Sequence, residues 1–114
     1  MIYTSYFGNY RHLPLEKCIS IARKTVGNIT TYPKLFPPEY LLFDYKRGKI
    51  TVGQYVNLYK VYVLGELDPY QTYKELDGSI LLCYETPEKF CHRHIVKAWF
   101  KHYGLECEEY CNYT

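Results

Sequence analysis

The sequence predicts an α/β fold, a compact single-domain sandwich over residues 1–114 with a mostly parallel central sheet flanked by helices. Two observations carry this expectation. The run Ser79-Ile80-Leu81-Leu82-Cys83-Tyr84 is apolar on both faces, as expected of a central strand in a covered sheet. Strand-like and helix-like patterns then follow in the order β, β, helices, β, α, β, which a layered α/β arrangement accommodates. A chain of 114 residues is long enough for one core but not two.

Element by element, Ile2-Tyr3-Thr4-Ser5-Tyr6 reads as a first strand closed by Gly8-Asn9. Cys18-Ile19-Ser20-Ile21-Ala22 reads as a second, followed by Arg23. Residues 24–38 hold Gly27, Asn28, Pro33, Pro37 and Pro38, which makes them a long irregular loop of the kind that often carries function. Pro38 suits a first helical position ahead of Glu39-Tyr40-Leu41-Leu42, and Gly48 suits the far end. Thr51 with Gln54 forms a capping box for a helix through Tyr55, Leu58, Tyr59 and Tyr62. Asp68-Pro69 opens another, carrying Tyr73 and Leu76 until Asp77-Gly78 turns the chain. After the central strand, a helix from about Cys91 to Tyr103 is stopped by Gly104. Glu106-Cys107-Glu108-Glu109-Tyr110 then reads as a polar edge strand.

Composition narrows the functional classes. The formal net charge of +2 and the scattered basic residues argue against a nucleic-acid polymer as partner. The apolar runs are far too short to span a membrane, and the start shows no secretory pattern. Five cysteines, an odd number, read as reduced thiols and hence a cytoplasmic location. The 15 tyrosines fit half-buried positions, with the ring packed and the hydroxyl wet.

Projected at 100° per residue, the last helix places Ile95, Val96, Trp99, Phe100 and Tyr103 on one stripe. His94, Lys97 and Lys101 lie opposite. His92 falls at the centre of the stripe, with Cys91 and Arg93 on its flanks. A helix start directly after a central strand lies at the carboxyl end of the sheet, where open α/β sheets bind ligands. Its free amides and dipole favour an anion, and Arg93 offers a bidentate partner. A helix opening earlier, at Thr86-Pro87, would instead put Cys91 in its second turn.

Sharper enzyme motifs are absent. A cysteine phosphatase loop needs arginine six residues after the thiolate, where this chain has Lys97, and no glycine-rich phosphate loop occurs. Cys83, Cys91, His92 and His94, even with Cys107 and Cys111, match no structural zinc spacing, so neither metal nor cofactor is assigned.

The stretch Leu81-Leu82-Cys83-Tyr84-Glu85 followed by Phe90-Cys91-His92-Arg93-His94 resembles the signature of a family catalogued as domain of unknown function 488. In that family a strand ends near a glutamate and a helix opens with Cys-His-Arg. Ile2-Tyr3-Thr4 with Ser5 is similar to its first strand, and Ile19-Ser20-Ile21-Ala22-Arg23 to its second. The middle of the chain is unmatched. Ile21 stands where members often have an acid, and Thr25-Val26 where a proline often follows. The resemblance implies a fold and a site, not a reaction.

The site expected from these residues comprises Ser5, Arg23, Glu85, Cys91, His92 and Arg93. Its expected ligand is small and phosphate-bearing, a nucleotide or nucleotide-derived signal. Arg23 and Arg93 would hold phosphate, Ser5 and Glu85 would hydrogen-bond, and tyrosines of the 24–38 loop would cover a base. By analogy with phage-encoded sponges of nucleotide immune signals, such a protein would sequester its ligand in the host cytoplasm. The alternatives are an enzyme of nucleotide or nucleoside metabolism using Glu85 or Cys91, and a protein-interaction module with a tyrosine-rich surface. A homo-oligomer is compatible with each.

Overall fold

A computed structural model describes residues 1–24, 27–85 and 89–110. Among the described residues, five strands form one all-parallel sheet: β1 (Ile2–Tyr6), β2 (Cys18–Ser20), β3 (Thr30–Thr31), β4 (Ile80–Cys83) and β5 (Cys107–Glu109). Their spatial order is β3-β2-β4-β1-β5. The α-helices among the described residues are α1 (Glu39–Lys46), α2 (Val52–Tyr62), α3 (Pro69–Leu76) and α4 (His92–His102).

β4 is buried along its whole length, because it pairs with β1 on one side and β2 on the other. Its apolar residues therefore divide between two cores. Leu81 joins Ile2, Leu41, Tyr59, Leu76, Val96 and Phe100 beneath the α-helices. Ile80 and Leu82 join Phe7, Leu13 and Cys18, where two 3-10 segments (Phe7–His12 and Leu15–Lys17) cover the opposite face. The layering is thus unequal, with all four helices on one core. Among the described residues, no helix is long and apolar enough to cross a membrane.

The capping signals act where the sequence places them. Thr51 accepts from the Gln54 amide at 3.1 Å, and the Gln54 side chain accepts from the Thr51 amide at 2.8 Å. Asp68 accepts from the Tyr70 and Gln71 amides ahead of α3. Thr51→Ala is expected to cost about 1 kcal/mol, read as a lowered denaturant midpoint with unchanged slope.

Three local expectations differ. Pro38 is the residue before α1 rather than its first helical position. The second strand stops at Ser20, whose hydroxyl accepts from the Ala22 amide at 3.2 Å and turns the chain. Within 24–38 the chain is more ordered than an irregular loop: β3 pairs with β2, and a 3-10 turn spans Pro33–Leu35. Residues 25–26, in the stretch compared with the family, lie outside the described residues, as do Thr86-Pro87 and Cys111. α4 is preceded by extended Cys91 (φ −150°, ψ 147°), so its helical hydrogen bonding starts there. On α4, Ile95, Val96 and Phe100 are buried and Trp99 is half-buried with its ring 5.1 Å from Phe100, while Tyr103 is exposed.

Candidate functional site

β2 and β4 end side by side, and the chain leaving each one helps to form a cleft of about 700 Å³. Ala22 and Arg23 line it after β2, Cys83, Tyr84 and Glu85 at the end of β4, and Cys91 and His92 at the start of α4. The opposite wall comes from α1 and α2, with Phe43, Tyr45 and Tyr55. Tyr45, Tyr55 and Phe90 pack edge to face on one another, with ring centroids 5.0–5.5 Å apart. Such a cluster gives a rigid apolar wall with one wet side. Arg23, Lys24 and Lys46 supply cations, and Glu39 and Glu85 supply acids.

His92 is buried and oriented. Its Nε2–H donates to the Ile21 carbonyl at 2.7 Å, since that oxygen can only accept. Nδ1 then carries the lone pair and lies 3.9 Å from Cys91 Sγ. Burial, together with the nearby Arg93 charge, pushes the imidazole down to about 4, against the partial support of the Ile21 hydrogen bond.

Arg93 has a different place from the one expected. It is fully buried, and its guanidinium is committed within the protein. Nε and Nη2 form a fork on the Glu109 carboxylate at 3.2 and 3.0 Å. Nη1 donates to the Glu85 carbonyl at 2.6 Å and to Cys83 Sγ at 3.2 Å. Thr4 Oγ1 donates to the same carboxylate at 2.6 Å, and the Tyr6 ring lies 5.8 Å from the guanidinium. The expectation that Arg93 grips phosphate is therefore corrected: it ties β4, β1, β5 and α4 together behind the cleft. A flank position on the helical projection gave no sign of this, because its partner Glu109 comes from an edge strand 16 residues away.

Ser5 is also buried and outside the cleft lining, with Asn9 Nδ2 donating to its hydroxyl at 3.3 Å. Tyr32, the tyrosine within 24–38, does not line the cleft either, and its hydroxyl donates to Glu75 at 2.6 Å. The structure thus gathers Arg23, Glu85, Cys91 and His92 at the cleft and leaves Ser5 and Arg93 behind it. The aromatic wall was the part missed, although Tyr45 and Tyr55 flank the α1–α2 junction at positions the sequence makes visible.

The thiols differ from expectation as well. Cys83 and Cys91 are joined in a disulfide, with Cα atoms 7.1 Å apart. Cys18 and Cys107 are free and buried, and burial pushes the Cys107 thiol up to about 12, which keeps it protonated. No family model, curated protein or solved structure matches this chain.

Proposed function

We propose that the cleft binds a small phosphate-bearing ligand, a nucleotide or nucleotide-derived signal, and holds it rather than converting it. The observation that carries this reading is the edge-packed wall of Tyr45, Tyr55 and Phe90 beside the cations Arg23, Lys24 and Lys46. A flat ring finds apolar surface there, and a charged group finds partners at the same opening. Among the described residues Lys24 and Lys46 form no salt bridge, while Arg23 donates Nε to the Pro37 carbonyl at 2.6 Å and reaches Glu39 with Nη1 at 4.0 Å. Among the described residues α4 starts at the cleft without a side-chain cap, and the positive end of its dipole favours an anion there. Sequestration of an immune signal in a host cytoplasm, and membership of the domain of unknown function 488 family, belong to the same proposal.

Calorimetry with the four nucleoside monophosphates, the matching nucleosides and inorganic phosphate tests it. At least one nucleotide is expected to bind with one site per chain, about tenfold or more tighter than its nucleoside. Arg23→Ala should lose a similar factor. Ligand recovered intact after long incubation supports sequestration, whereas a converted ligand favours an enzyme using Glu85. Absence of binding by every probe would overturn the reading in favour of an interaction module.

A further inference from the structure

We infer that Cys83, Cys91 and His92, once the disulfide is opened, form a binding site for a thiophilic divalent cation such as Zn²⁺, with a fourth coordination position open to the cleft. This is independent of the ligand assigned above. It concerns the floor of the cleft, not the aromatic wall and cations at its opening.

The three residues form a metal-ligand cluster although they are not spaced like one in sequence. One atom from each, the two Sγ atoms and a ring nitrogen, lies within 4.8 Å of the others, and all three residues are buried. Tetrahedral zinc with Zn–S bonds of about 2.3 Å holds two sulfurs about 3.8 Å apart. The Cys91 Sγ to His92 Nδ1 separation of 3.9 Å already has that scale. Opening the disulfide lets the two sulfurs separate by side-chain rotation, with β4 and α4 holding their backbones in place.

The surrounding groups are those a metal site requires. The His92 nitrogen facing the sulfurs carries the lone pair, because the other ring nitrogen donates to the Ile21 carbonyl at 2.7 Å. Ligating histidines are commonly oriented by such a hydrogen bond to a backbone carbonyl. Arg93 Nη1 donates to Cys83 Sγ at 3.2 Å, which supports a thiolate there. Charge also closes: two thiolates neutralise a divalent ion, and Arg93 is neutralised by Glu109 at 3.0 Å. Cys83, Cys91 and His92 all line the cleft, so a fourth ligand reaches the ion from that side. Three protein ligands with one open position are the arrangement of reactive rather than structural zinc.

The chemistry balances with a dithiol as reductant. The dithiol gives two electrons and two protons to the Cys83–Cys91 bond and closes to a disulfide itself. The cation then displaces both thiol protons to solvent as it binds the thiolates. Metal binding and disulfide formation are therefore exclusive states of one pair of sulfurs.

The experiment uses the full chain reduced anaerobically with a phosphine, which leaves as its oxide and adds no competing thiol. Titration with Co²⁺ alone is expected to give one ion per chain, with the intense visible absorption of tetrahedral cobalt and a thiolate charge-transfer band. Zn²⁺ should bleach both. Cys83→Ser and Cys91→Ser should abolish the charge-transfer signal, and His92→Gln should weaken binding by about 10–100-fold. Cys18→Ser and Cys107→Ser should leave it unchanged. A second measurement needs no variant: in the wild-type chain, Zn²⁺ should protect Cys83 and Cys91 together from alkylation, read by peptide mass spectrometry. A folded, reduced protein without thiolate–cobalt absorption overturns the proposal, as does equal alkylation with and without Zn²⁺. Nucleotide calorimetry is done on the oxidised protein without metal, so failure of either result leaves the other standing.

Discussion

Replacing Arg93 by alanine is expected to cost about 3–5 kcal/mol and to leave much of the protein unfolded, since small domains have only about 5–15 kcal/mol to lose. The guanidinium has no solvent exposure, while the Glu109 side chain keeps 19%. Deleting the cation leaves that carboxylate half-buried, with the Thr4 hydroxyl as its one side-chain donor among the described residues, and it also frees the Glu85 carbonyl and Cys83. Breaking one side of a buried pair costs far more than replacing both sides, because the remaining charge has lost its compensation. Arg93→Lys should recover only part of the loss, since an ammonium cannot reproduce the planar fork on Glu109. Urea unfolding followed by circular dichroism measures this. An alanine variant within about 1 kcal/mol of the wild type would show that the network contributes little.

Acidification provides the second large effect. His92 titrates near 4 in the folded protein against an ordinary 6.5, mainly because burial disfavours its charged form. Between those values the unfolded chain binds the proton and the folded chain does not, so stability falls as pH falls through that window. The shift corresponds to about 3 kcal/mol, fully present above pH 6.5 and lost by about pH 4. His94 is lowered too, first by burial, and acts in the same direction. Chemical denaturation of the oxidised protein at intervals between pH 7 and 4 should trace this decline. His92→Gln should flatten most of it, leaving the smaller slope of His94. An equally steep profile in that variant would assign the proton uptake to other groups.

Much of the scaffold was legible because it is written in local chemistry. The Thr51–Gln54 box, the Asp68-Pro69 start and the doubly apolar run of β4 each specify their element within a few residues. β3 was not legible, because Thr30 and Thr31 are both exposed and have no alternation to detect. Only pairing with β2 makes them a strand. The site divides in the same way. Cys91 and His92 follow from a helix start after a central strand, but the fate of Arg93 depends on Glu109, which no local pattern connects to it. The Cys83–Cys91 pairing likewise arises from two adjacent element ends, across a connection that breaks any familiar spacing.

The all-parallel register also governs how the chain can assemble as it is synthesised. Tyr3 pairs opposite Ile80, and Ile2 opposite Cys107, so β1 finds neither neighbour until β4 and β5 have followed it out of the ribosome. Until then Ile2 and the β1 amides are without these partners. Loop-closure entropy makes such remote pairings slow to form, and unpaired strands invite association with other chains. Yield of this protein in a cell should therefore depend on elongation rate and holdase supply, through a strand made long before the partners it joins.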